Sequence, residues 1–577
     1  MSYADHAKRT GRIPCTVVEI DLDWIDDEAV AATNDDGSLC YRTPATTDQA
    51  ALGDYTLTTR TRRFMTATQR PIPELGAIPC LRSAKIAAEE IRVGRGLGTF
   101  GQVTVDLADF VDDDGREDPF RTDASRDGLD RRAGSYFSKL MARNPYWTGR
   151  RLRVIEGWAT DGVWHENDAI VHHYFIRDVQ GPSDGALKIT AAGPLQLLNL
   201  GDREVPAPSR GTLLADLTAD AIDATIDPPE DADAYPASGY VRINEEVCAF
   251  TRTGAALTLT RGQLGTVADE HQAGDTLQLC VRYEDEPVTE ILADVLTTYG
   301  GLAEANLALA SWAEEQASWL AAYNLTGTIS EPTKVLTVVQ ELLETSAAML
   351  WWDDEAGVLQ LRAIRPALAI AGTWGDQFHL TKPVMVKRDL GERVSRCDVL
   401  LDLRHAAADA KEPASYRTRL VGDAEGEAAT EHGSPAVYVF ASRWLNAGQI
   451  ALAVRASAQV TLSLADGRRT FVCEVAAKDS ARKIGDVLDI LTRDIVDRTG
   501  MPVRTRAVVV KREPIKAGSA YRYTLEAAAF GGRYAFYTAA DCPDYDDASA
   551  WERDPGGFFS NAAGADFGPN DPAYLFG

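Results

Sequence analysis

The eight cysteines of this 577-residue chain, at positions 15, 40, 80, 248, 280, 397, 473 and 542, form no CxxC pair. Zinc and iron–sulfur sites usually show short cysteine spacings, so these read as buried thiols. Cys15, Cys40 and Cys80 fall within the first 80 residues, where they could converge, and are the weak candidates for metal ligands. No metal or other cofactor is assigned. Long apolar runs are missing too, and none approaches the roughly 18–20 residues that cross a membrane as a helix. The opening MSYADHAKRTGRIPC has no apolar core of a secretory signal, so folding is expected to begin in a cytoplasm. Basic charge is in deficit, with 59 Lys and Arg against 86 Asp and Glu and a net charge of −27. That argues against nucleic acid as a gripped ligand, because phosphate binding needs clustered cations. It leaves DNA as cargo passing a repelling wall. No HExxH or P-loop occurs, and no repeat of 20–50 residues suggests a solenoid.

What is present is ordinary globular composition, 45% apolar and 25% charged, in a chain too long for one core. The reading is a multidomain, mainly β protein with a central α/β segment. Residues 1–200 form a β-rich block: FGQVTVDLADF alternates with period two, and RRLRVIEGWA, AIVHHYFIRDVQG and ALKITAAG make a meander. One helix is expected in SYFSKLMARNPYW, limited by Pro145. Residues 201–285 hold a connector, with a helix expected over LLADLTADAIDATI, and then a small barrel-like β module. Residues 286–372 carry helices at 286–299, 302–323 and 333–347 and a hairpin turning around Asp353 to Gly357. Residues 373–532 are a second β-rich block with a helix near 443–458, and 533–577 read as an extended, partner-dependent tail.

Four patterns suggest chemistry and fail a physical test. Gly96, Gly98 and Gly101 fit a dinucleotide fingerprint, but QVTVDLADF follows as a strand where the mechanism needs a helix, so a hairpin turn is expected. Asp112, Asp113 and Asp114 hint at a calcium loop, yet Phe110 stands where that motif needs a ligand; an ion in another loop geometry stays open. His165, His172 and His173 lie near one another, but adjacent strand residues face opposite ways and no nearby acid completes a triad. His271 reads as a loop tie. Asp353 and Asp354 are adjacent in a hairpin and should diverge, where glycoside cleavage needs two carboxyls facing one substrate. No catalytic residue is assigned, and the chain is read as non-enzymatic.

Several phrases, read in order, carry a resemblance: IPCTVVEIDLDW, VGRGLGTFGQVTVDLADFVDDD, SYFSKLMARNPYWTGRRLRVIEGW, then SGYVRINEEVCAFTRTGAALTLTRGQLGTVADEHQAGD, WWDDEAGVLQLRAIRP and DPAYLFG. Over nearly its full length the chain resembles the siphophage tail hub family, also called tail tip or baseplate hub, of bacteriophages with long non-contractile tails. The resemblance implies antiparallel β-barrel-like tube domains, two per chain. It implies a homotrimer at the virion tail tip that adapts a sixfold tube to a threefold tip. The implied partners are a distal tail protein ring, the tape measure protein, tail fibres or other tip proteins, and DNA in transit. Relatives carry further N-terminal cysteines where this chain has Trp24-Ile25 and Thr46-Thr47, so no metal site is carried over. Two alternatives stay open: a tail-associated cell-wall or capsule hydrolase, and a tip protein that binds the receptor directly.

Overall fold

The computed structural model describes residues 3–9, 11–25, 57–66, 75–93, 96–111, 134–160, 163–198, 201, 203–364, 370–423, 436–464, 467–496, 499–516, 520–527, 535–536 and 575–576. It is mainly β, 48% strand and 21% helix, in several sheets. Cys40, Asp112 to Asp114 and nearly all of the expected C-terminal tail lie outside the described residues. Among the described residues no helix is long and apolar enough to cross a membrane.

A short helix α1 (Tyr3–His6) precedes the first β region. Its strands are β1 (Arg12–Ile25), β2 (Leu57–Thr66), β3 (Ile78–Ala87), β4 (Gln102–Ala108), β5 (Arg151–Thr160), β6 (Val163–Trp164), β7 (Ile170–Ser183) and β8 (Ala186–Ala192). Their order is β1-β2-β3-β4-β8-β7-β5-β6, and β1 also pairs with β5, Val18 opposite Val154. The sheet therefore closes on itself. Seven strands make a barrel with no free edge, and β6 hangs on the rim. Period-two alternation fills its interior: Val103, Val105 and Leu107 of β4 are wholly buried with Val18, Ile20, Val154 and Ile189. The helix α2 (Tyr136–Arg143), capped by Ser135, adds Tyr136, Phe137 and Leu140 to that core.

The connector, whose β9 (Glu204–Val205) pairs with β17 (Thr333–Lys334), departs from expectation. LLADLTADAIDATI forms no helix; strand β10 (Thr212–Leu213), a turn segment and strand β11 (Asp223–Asp227) take its place. Buried Leu213 and Leu217 have helical spacing, but Thr218 bonds Asp220 and Asp216 accepts from the Ala273 backbone. Short polar side chains offered the backbone other partners than a helix. With β12 (Ser238–Ile243), β13 (Glu246–Thr253), β14 (Ala256–Thr260), β15 (Gln278–Pro287) and β16 (Asn324–Ile329) these strands make a seven-stranded sheet.

The central core is built from helices Val288–Asp294, Leu309–Ser318 and Val335–Ser346, the hairpin β18 (Ala348–Asp353) and β19 (Val358–Ala363), and more. The middle helix is shorter than the expected 302–323, with Glu304–Asn306 a separate 3-10 turn before it and a turn from Leu320 to Tyr323 after it. The same core takes in the three-stranded sheet of β22 (Arg396–Leu403), β23 (Tyr416–Asp423) and β24 (Val437–Ala441), with the helix Ile450–Leu464. That helix starts later than expected, behind the Asn446–Gln449 capping box. The stretch 373–532 thus divides between two cores.

The remaining strands form a six-stranded sheet, in the order β20 (Ile370–Gly375), β26 (Val487–Leu491), β27 (Thr505–Lys516), β28 (Ala520–Ala527), β25 (Arg468–Ala476), β21 (Met385–Asp389). It is open. Its last strand, β21, is exposed at all five residues. Its core of Trp374, Phe471, Leu488, Val509, Tyr523 and Leu525 also receives Tyr3 from α1 and Trp158 from the barrel.

Candidate functional site

Barrel, central hairpin and open sheet converge on one buried polar junction around a narrow cavity of about 50 Å³. The barrel contributes Glu89 after β3 and His172 and Tyr174 on β7. The hairpin turn contributes Asp353, Asp354 and Glu355, and the open sheet side supplies Lys483, Arg512 and Tyr521. Asp354 pairs with Nδ1 of His172 at 2.8 Å and accepts from the Tyr174 hydroxyl at 3.0 Å. Asp353 instead accepts from the turn amides of Glu355 and Ala356, at 3.1 and 3.0 Å, and meets Lys483 at 3.3 Å. Glu355 pairs with Arg512 and, at 3.2 Å, with Lys483. The two adjacent aspartates line one cavity yet bind different partners, as their places in a hairpin require.

The electrostatics separate two acids. Burial alone would raise Asp354, but the charge and hydrogen bond of His172, helped by Arg512 and Tyr174, pull it to about 2. Glu89 is pushed well above its usual value by burial and by the nearby charges of Asp354 and Asp353, despite accepting from the Trp352 amide. Burial disfavours the His172 imidazolium, yet Asp354 outweighs it and the pKa rises. Two carboxyls whose pKa values are pushed apart is the arrangement that acid–base catalysts use. Here the cavity has room for one or two waters at roughly 30 Å³ each, whereas small-molecule sites run to about 300–1,000 Å³. A sugar ring does not fit. What the arrangement does is tie three regions together.

A second carboxylate organises the RGQLGT…H…GD module. Glu246, inaccessible to solvent, accepts from Arg261 at 2.9 and 2.7 Å and from the amides of Gly262 and Asp269 at 2.8 and 3.1 Å; it also pairs with His271 at 2.9 Å. Burial opposes its charge, but these donors hold its pKa at about 2. His271 is therefore the expected loop tie. The loop so held rests on the three-stranded sheet's neighbour segment, where the Ala406 amide donates to Leu264.

The other sequence candidates separate. Cys80 faces the barrel interior, whereas Cys15 lies on the opposite face with Val17, Met65 and Ile155, where burial lifts its thiol to about 11. The structure does not bring these two together. The glycine fingerprint is a turn: Thr99 and Glu90 exchange backbone bonds at 3.0 and 2.8 Å, and a Cβ on Gly98 would meet the Glu90 carbonyl oxygen at 1.8 Å. His172 and His173 occupy opposite faces of β7. His165 joins neither. It stacks on His6, ring centroids 4.5 Å apart, beside Asp168, so an acid three residues on does complete a group with it. Sequence reading missed both partners; the His-x-x-Asp spacing was visible, but His6, about 160 positions away, was not.

A wide concave surface, about 1110 Å³, lies on the face of the open sheet opposite its core. It is lined by Lys382, Lys387, Arg388, Arg468, Lys511 and Arg522 against Glu90, Asp389, Glu474 and Glu513. Many of these charges are paired, Glu474 with Lys382 at 2.6 Å and with Arg522 at 2.9 Å.

Against known proteins, no family model and no curated protein matches the chain. Among solved structures it is similar to a tail protein from Neisseria meningitidis MC58, at TM-score 0.35 and 10% identity over 77% of this chain and 96% of that one. It is similar to a 43 kDa tail protein of prophage MuSo2 from Shewanella oneidensis, at 0.35 and 10% over 78% and 99%. A prophage tail protein from Listeria monocytogenes EGD-e gives 0.31 and 11%, over 77% and 87%.

Proposed function

We propose that this chain is a structural protein of a bacteriophage tail, the trimeric hub at the distal end of a long non-contractile tube. The observation that carries the reading is the unequal finish of the eight-stranded and the six-stranded sheets. One is closed, while the other ends on β21, a strand exposed throughout. An open edge is a template for another strand, and free-standing proteins normally cover or blunt it. A ring of copies joined head to tail needs two different complementary surfaces on each chain, and an edge meeting a second surface satisfies that. The ordered sequence phrases shared with tail hubs point the same way.

In this reading the ring adapts the tube's sixfold symmetry to threefold, lets the tape measure protein and then DNA leave, and anchors fibres below. The net charge of −27 would keep passing DNA from sticking. The concave face of the open sheet, with six basic and four acidic residues, is not where that acidity is concentrated. Gold-labelled antibody against the chain, imaged on intact particles, should mark the tail end farthest from the head. Labelling along the tube or at the head, or particles free of the chain, would reject the proposal. A zymogram on peptidoglycan or capsule that exceeds a heat-killed control would favour the hydrolase instead.

A further inference from the structure

We infer that His6, His165 and Asp168 form a binding site for one divalent transition metal of the zinc class, fastening the N-terminal helix to the rim of the barrel. Their donor atoms, two imidazole nitrogens and a carboxylate oxygen, all lie within 4.8 Å of one another. Nε2 of His6 and Oδ2 of Asp168 are 2.9 Å apart. Zinc takes such ligands at roughly 2.0–2.2 Å, so small side-chain rotations close the set around an ion. Two imidazoles with one carboxylate suit zinc, iron, cobalt or nickel, whereas magnesium and calcium prefer all-oxygen shells.

The local fold builds the site. Glu166–Asp168 is one turn of 3-10 helix with His165 at its N-cap, and this turn brings residues three apart to the same side. His6 arrives from α1, whose Tyr3 packs against Trp158 with ring centroids 5.5 Å apart. His6 is 1% exposed, and its other ring nitrogen, Nδ1, lies 3.3 Å from the Thr160 hydroxyl. Holding the second nitrogen is how proteins fix the tautomer and ring direction of a metal-binding histidine. His165 and Asp168 are half-buried, which leaves an approach for the ion and room for a water as fourth ligand. The consequence reaches past the barrel: α1 also enters the core of the open sheet, where Tyr3 meets the Tyr521 hydroxyl at 3.3 Å. An ion here would brace the contact between the barrel and the open sheet.

The test uses tag-free, full-length protein stripped with chelator and titrated with Co²⁺, followed by its visible absorption, and with Zn²⁺ by calorimetry. One ion per chain is expected, with no competition from excess Mg²⁺ or Ca²⁺. His165→Ala and Asp168→Asn, both at half-exposed positions, should each weaken binding by more than about a hundredfold, and Thr160→Val by about tenfold. Zn²⁺ should raise the unfolding temperature of the wild type and not of Asp168→Asn. Absence of one-to-one binding would overturn the inference. So would unchanged affinity in His165→Ala and Asp168→Asn, which would place the metal elsewhere and leave His6–Asp168 a simple hydrogen-bonded pair.

Discussion

The barrel and the six-stranded open sheet are made of similar alternating strands and finish differently. In the barrel every strand has two neighbours, because β1 pairs with β2 on one side and β5 on the other. In the open sheet, among the described residues, β21 pairs with β25 alone, and its Met385 and Val386 are 57% and 39% exposed. A closed barrel satisfies its own backbone. An open edge leaves donors and acceptors for something else, so the barrel should carry stability and the open sheet should carry assembly.

That contrast can be broken most forcefully inside the barrel. Phe137, wholly buried against Phe64 and Tyr136, fills its core, and Phe137→Ala should cost about 3–5 kcal/mol in chemical unfolding. The matching truncation on the open edge, Met385→Ala, should cost less than about 0.5 kcal/mol and act on association instead. Equal losses at the two sites would erase the distinction.

The junction tests whether the two regions act as one. Asp354→Asn leaves His172 and Tyr174 without their anion. With about a third of its side chain still accessible, a loss of about 2 kcal/mol is expected, below the 3–5 of a fully dry pair. Barrel and sheet should then unfold in separate steps by calorimetry, where the wild type should unfold them in one.

A smaller effect comes from pH. The pKa of His172 is raised in the fold, so its contribution is complete below its unfolded value near 6.5 and is lost as pH climbs through the folded one. Glu89 is raised too, so its burial is favourable below about 4.5 and becomes costly as pH rises. Asp354 runs the other way, complete above about 3.8 and lost as pH falls through about 2. The junction should hold best at about pH 4 to 4.5, where all three contributions are complete. Glu89→Gln, which keeps an acceptor for the Trp352 amide, should stabilise by about 1 kcal/mol at pH 8 and do nothing at pH 4. Destabilisation at pH 8 would show that Glu89 is ionised there.

Local pattern made much of this legible. The alternation of Val103, Val105 and Leu107, the turn at Gly96 to Gly101 and the Asp353 hairpin are set by neighbours a few residues away, and all three form as read. The failures are non-local. Leu213 and Leu217 imitate a helix because both sit in one core for tertiary reasons. The junction joins Glu89, His172, Asp354 and Arg512 from four distant segments, and the metal candidate joins His6 to His165, pairings that spacing cannot reveal. Nor does alternation say whether a sheet closes, since that depends on which strands meet, as β1 and β5 do.

The most direct measurement is the native mass of the purified chain, by light scattering after gel filtration, for the wild type and for proline placed in turn at Val386 and Lys387 on the free edge. The account predicts a trimer, three times 62.6 kDa, that falls to monomer with its fold intact when the proline removes an outward-facing amide. A wild type that stays at 62.6 kDa at every concentration, or a trimer indifferent to both prolines, would contradict it.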